Sequence, residues 1–135
     1  MNLSKYTDYS FRILIYLGNN DQLCKIEEMS KHLKISQNHI KKIVHSLAKE
    51  GYILSLKGRT GGIMLAKLPQ DINLGDVLLF SENFSKIVDC QKDSIHCTYN
   101  RDKCIIKNVI EKATNKFIAE FKKYTLKDIL DVYKQ

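Results

Sequence analysis

Apolar residues along this chain recur at helical spacing in its first third. From Phe11 to Leu17 almost every position is apolar, and Gly18-Asn19-Asn20-Asp21 closes the run. Thr7 and Asp8 are residue types that start helices, so a buried first helix is predicted from about there to Leu17. Ile26, Met29 and Leu33 then recur at steps of three and four, predicting a short amphipathic helix over about Lys25–Leu33. Lys34-Ile35-Ser36 breaks it. Ser36 can cap a further helix whose apolar positions are Ile40, Ile43, Val44, Leu47 and Ala48, with Gly51 at its end. Two short helices across a three-residue turn make a helix-turn-helix, although a helical hairpin inside another bundle has the same pattern.

The next segment separates those two readings. Tyr52–Lys57 reads as a strand, Gly58-Arg59-Thr60-Gly61-Gly62 as a turn and Ile63–Ala66 as a returning strand. A hairpin with a basic, glycine-rich tip directly after a helix-turn-helix is a wing. Lys57 and Arg59 at such a tip can reach a minor groove, where glycine leaves room for close approach. Pro69–Asn73 reads as a linker, with Asn73 capping a short helix through Leu74, Val77, Leu78 and Phe80. From about Asp102, Ile106, Ile110, Ala113, Phe117, Phe121 and Tyr124 step by three and four, which predicts one long helix with a near-heptad stripe. Little of the chain remains to cover that stripe, so pairing with a second subunit is preferred over an internal core face. The expected fold is mainly α with a small β-hairpin wing. It divides into a winged helix-turn-helix at 1–68, a linker, short helix and cysteine loop at 69–101, and a dimerisation helix with a C-terminal segment at 102–135.

Composition narrows the partner. The chain has 135 residues and a net charge of +7. Residues 1–68 hold eleven basic and five acidic side chains, against eleven and ten in the remainder. The basic surface therefore belongs to the proposed DNA-reading half, although charge alone does not choose among DNA, RNA and a membrane surface. The longest apolar run, Ile13–Leu17, is far short of the roughly 20 residues a membrane span needs. Arg12 interrupts the amino-terminal apolar stretch, and no small-residue cleavage site follows it. A cytoplasmic protein with reduced thiols is expected. No Ser/His/Asp order, paired-carboxylate motif or phosphate-binding glycine loop is present, so enzyme activity has no positive support.

Cys90, Cys97 and Cys104 are separated by six residues each. On a continuous helix, cysteines seven apart would lie about 10.5 Å apart along the axis, too far to share a metal or form a disulfide. The intervening QKDSIH and TYNRDK are polar and aperiodic, which favours a loop able to gather the sulfurs. Three thiolates suit an iron–sulfur cluster with an unusual fourth ligand, a zinc site completed by another residue type, or no site at all. His96 beside Cys97 is a further candidate ligand, though a surface position in the loop explains it as well. His32 and His45 read as helix-surface residues, and Cys24, beside Leu23, as a core residue.

These elements together resemble the winged-helix, iron–sulfur bacterial regulators of the NsrR/IscR type. The resemblance rests on TDYSFRILIYL at 7–17, SQNHIKKIVHSLAKEGYILSLKGRTGGIMLAK at 36–67, the three cysteines and the helix after them. It implies that Cys90, Cys97 and Cys104 hold a cluster. In NsrR-type members an Asp near the start of the first helix of the partner subunit completes a [4Fe-4S] cluster, and Asp8 matches it. IscR-type members use a His three residues after the last cysteine, and that position is Lys107, which favours the NsrR-type reading and [4Fe-4S] over [2Fe-2S]. The second cysteine gap is six residues where the family commonly has five.

The implied protein is a homodimeric repressor of a pseudo-palindromic operator in double-stranded DNA, with nitric oxide as its signal. Ser36, Gln37, Asn38 and His39 would lie near base edges, and Lys41, Lys42, Lys57 and Arg59 near phosphate or the minor groove. The alternatives are an iron–sulfur or redox-responsive regulator of cluster biogenesis or cysteine metabolism, and a zinc-stabilised DNA-binding protein.

Overall fold

Ser4, rather than Thr7, opens the first helix. In a computed structural model describing residues 2–85 and 104–133, α1 spans Lys5–Gly18. Ser4 has extended backbone, and its Oγ accepts the Thr7 N–H at 3.2 Å. Thr7 and Asp8 therefore sit inside the first turn. Asp8 places negative charge near the positive end of the helix dipole. Thr7 is buried, and its hydroxyl donates to Glu82 Oε2 at 2.8 Å.

The helix-turn-helix forms where the spacing places it. α2 covers Ile26–Leu33 and α3 covers Gln37–Lys49. Between them Lys34 adopts a left-handed conformation with φ 56°, a strained choice for a residue with a β-carbon. Two anchors hold the turn: Ile35 is buried, and the Ser30 hydroxyl donates to the Ile35 carbonyl at 2.6 Å. Ser36 caps α3 by accepting the His39 N–H at 3.3 Å.

The first strand of the wing is two residues shorter than the apolar pattern suggests, and the second begins one residue earlier. β1 is Ile53–Leu56 and β2 is Gly62–Leu65, antiparallel, with Ile53 opposite Leu65 and Leu56 opposite Gly62. Its tip glycines answer to the wing itself. Gly58 has φ 102°, and a β-carbon on Gly61 would come within 2.1 Å of the Leu56 carbonyl oxygen.

Pro69–Asp71 forms a single 3₁₀ turn, after which α4 runs over Leu74–Ser81. Asn73 caps α4 as expected, its Oδ1 accepting from the amides of Gly75 at 2.9 Å and Asp76 at 3.2 Å. Its Nδ2 also donates to the Lys122 carbonyl at 2.9 Å, tying the start of α4 to the end of α5, Ile105–Phe121.

The carboxyl-terminal part corrects two expectations. The long helix ends at Phe121, before Tyr124, and a separate helix, α6, follows at Leu126–Tyr133. Asp128 Oδ2 accepts the Thr125 N–H at 2.7 Å, the reciprocal half of a helix-start box. The stripe of α5 is also partly covered from within the chain. Phe117 packs on Phe84 and Phe121, and Phe121 on Phe11, with ring centroids 5.1–6.1 Å apart.

α1 is the hub of the core. Its Ile13, Leu14 and Leu17 join Met29, Ile40, Leu47, Ile72, Val77, Leu126 and Leu130 in one buried cluster. Cys24 belongs to the same cluster, as the sequence suggests. Among the described residues, no helix is long and apolar enough to cross a membrane.

Candidate nucleic-acid interface

α3 buries Ile40, Ile43, Val44 and Leu47, positions spaced to form one stripe of a helix. The rest of its surface is open. Gln37, Asn38, His39, Lys41, Lys42 and His45 are exposed, and so are Lys57 and Arg59 on the wing. Among the described residues none of these cations has an acidic partner within ion-pair distance. The Ser36 side chain is engaged in capping α3. His39 leans on Tyr9 of α1, with ring centroids 6.1 Å apart.

Between α3 and the wing lies an open groove of about 500 Å³. Gln37 and Lys41 line it from α3, Ser55, Leu56 and Gly58 from the hairpin, and Lys25 from the start of α2. Lys25 carries a contact that composition could not reveal. Its Nζ donates to the Arg59 carbonyl at 3.1 Å and also to the Gly61 carbonyl. Beside it, Cys24 and Ile63 exchange backbone hydrogen bonds at 2.8 and 2.9 Å, extending the hairpin by one bridge.

The expected ligand residues divide. Cys90 and Cys97, with His96, lie outside the described residues. Cys104 is half-buried at the N-cap position of α5, where its side chain makes no capping bond. Asp8 is half-exposed on α1 and accepts from Arg12 Nε at 3.1 Å through Oδ1. No group of three or more metal-capable side chains gathers among the described residues. Asp8 Oδ2, outside the Arg12 bond, is a hard oxygen donor, and the Cys104 thiol, which makes no capping bond, is a donor of the kind an iron–sulfur site uses. Cys24 is not. Burial, and secondarily the charge of Glu28, push its thiol up and keep it protonated.

A second residue missed in the sequence is Glu82, at the end of α4. It accepts from the Ser4 N–H and the Thr7 hydroxyl, each at 2.8 Å. Burial works against its ionisation, but these donors outweigh it and hold the carboxyl below its ordinary range. Glu82 therefore locks the start of α1 to the end of α4.

A family model described as "Iron-dependent Transcriptional regulator" matches residues 3–132 of this chain. The chain belongs to the Rrf2 family. It is 38% identical over 133 residues to an HTH-type transcriptional regulator NsrR of Bacillus licheniformis, covering 96% of this chain and 92% of that one. Rrf2 membership makes the protein a transcriptional regulator and not an enzyme. Its fold is that of T. potens IscR, with a TM-score of 0.78 at 21% identity over 98% of this chain and 88% of the other. CymR, the global cysteine regulator of B. subtilis, superposes with a TM-score of 0.71 at 19% identity, over 98% of each chain. Both likenesses speak to the winged helix-turn-helix architecture.

Proposed function

We propose that this Rrf2 regulator is a homodimeric repressor whose grip on a pseudo-palindromic operator is set by an iron–sulfur cluster that responds to nitric oxide. The observation that carries the reading is the Tyr9–His39 contact. It joins the residue next to Asp8 to the exposed helix that would read DNA, so a pull on the start of α1 is felt at α3. Cys90, Cys97 and Cys104 of one subunit would hold the group with Asp8 of the partner subunit. When bound, a [4Fe-4S] cluster supplies an iron held by a hard carboxylate, a weak ligand that nitric oxide can replace.

The chain's own residues do the rest. Asp8 would bind through Oδ2 while Oδ1 keeps its bond from Arg12, and α1 would carry a displacement of its start through Tyr9 to His39. Gln37, Asn38 and His39 are offered to base edges in the major groove, with Lys41, Lys42, Lys57 and Arg59 offered to phosphate or the minor groove. The dimer is supported by Ile105, Ile106 and Val109 on the first turns of α5, which are 76%, 65% and 56% exposed. Adjacent apolar residues this open on one helix fit a second copy. Two α3 helices would then meet half-sites about 34–36 Å apart.

Anaerobic purification with visible absorption and iron, sulfide and zinc analysis tests the cofactor. Cys97→Ser should abolish the colour, and colour that survives overturns the ligand set. Asp8→Ala should alter the spectrum, and an identical spectrum removes the fourth-ligand assignment alone. Zinc in a colourless protein would replace the reading with a zinc-stabilised regulator. Stoichiometric nitric oxide should weaken operator binding by roughly 5- to 150-fold, and unchanged binding removes the sensor function.

A further inference from the structure

We infer that Lys25 is a positioning residue for operator recognition: its ammonium fixes the wing tip at a set distance from the helix-turn-helix, and so fixes where Arg59 meets DNA. The inference rests on the reading of the wing as a DNA contact, and it adds a residue beyond those assigned to base edges and phosphate.

Three observations converge on Lys25. It stands at the N-cap position of α2, the first helix of the helix-turn-helix, and its side chain makes no capping bond there. Its Nζ instead crosses to the hairpin, 34 and 36 residues away, and donates to the carbonyls of Arg59 and Gly61. The preceding residue, Cys24, is already bridged in both directions to Ile63 of β2. Backbone pairing at 24 and side-chain bonding at 25 thus fasten the start of β2 and the tip of the wing to one short segment.

The tip needs such an external hold. Between β1 and β2 its backbone is closed by the Gly61 N–H donating to the Gly58 carbonyl at 3.1 Å, and Gly58 contributes no side-chain packing, a β-carbon there meeting nothing within 4 Å. Residues 57–60 are exposed. A tip of this kind samples many positions unless a strong donor restrains its carbonyls, and hydrogen bonds from a charged donor are among the stronger ones available. The restraint acts before DNA arrives. It removes ordering entropy that binding would otherwise cost. With Lys25 in place Arg59 is presented, and without it Arg59 must be ordered on the operator.

The test has a DNA-free arm and a DNA arm. Lys25→Met keeps the aliphatic stem and removes the donor. By hydrogen exchange on the free protein, it should speed exchange of the Gly61 amide while leaving the α3 amides unchanged; unchanged exchange at Gly61 overturns the tether. On operator DNA, Lys25→Met should weaken binding roughly two- to tenfold, with Lys25→Arg restoring most of the loss. Arg59→Ala should then cost less in the Lys25→Met background than in the native chain. Strict additivity of the two substitutions would make Lys25 a direct phosphate contact and overturn the positioning role. Native protein that binds no duplex specifically would refute the DNA reading itself, a result separable from either arm.

Discussion

α5 and α6 are neighbours in sequence and opposites in burial. The 17 residues of α5 contain none that is buried, while the 8 residues of α6 bury Leu126 and Leu130 against α1 and Ile72. Leu130 lies so close to Gly18 that a β-carbon there would come within 2.6 Å of it. The short helix closes the core, and the long one carries an apolar surface out of it. An apolar stripe at helical spacing therefore states only that something must cover it. In α5 the covering is split between aromatic rings at its carboxyl-terminal end and, in our proposal, a second subunit at the other.

Substitutions in the two helices should have different consequences. Leu130→Ala should cost about 2–5 kcal/mol of folding stability, measured by urea denaturation; a loss below 1 kcal/mol would mean that α6 is not part of the folding core. Ile106→Asp should leave the monomer fold intact by circular dichroism while raising the dimer dissociation constant roughly tenfold or more, measured by sedimentation. A dimer of unchanged affinity would sever α5 from the subunit interface.

The smallest effect concerns Glu82, which braces the core side of the comparison. Its folded carboxyl lies below its ordinary range, so its contribution to stability is present above the unfolded value of about 4.3 and fades as pH falls through the folded value. Glu82→Gln should be less stable than the native chain at pH 7, with the gap closing in acid. A gap independent of pH would show that the carboxylate charge is not what holds α1 to α4.

The winged helix-turn-helix is legible because local rules agree there: Ser36 caps, Ile40 to Leu47 stripe one face, and the glycines mark the tip. The start of α1 is displaced because Ser4, Thr7 and Asp8 are all plausible capping types, and only the Glu82 carboxylate, 75 residues from Thr7, decides their roles. α6 is hidden because Tyr124 happens to continue the period of α5. The signals that reveal it are the Thr125-x-x-Asp128 start box and the spacing of Leu126, Ile129 and Leu130. Lys25 and Glu82 escape detection for a shared reason: each acts on backbone or hydroxyl groups far along the chain, and no periodicity encodes such pairs. Of the expected ligands, Cys104 and Asp8 fall on described elements, while Cys90 and Cys97 do not.

The contact between Leu130 and Gly18 also bears on biosynthesis. These residues are 112 positions apart, and long-range closures of this kind form late because the intervening chain must first be ordered. At about 5–20 residues per second, α1 leaves the ribosome seconds before the helix that seals it. Throughout that interval one apolar side of α1 stays uncovered, open to chaperones and to the wrong neighbour. A nascent chain stalled before residue 126 should therefore remain sensitive to protease within α1, and become resistant once Leu130 has emerged.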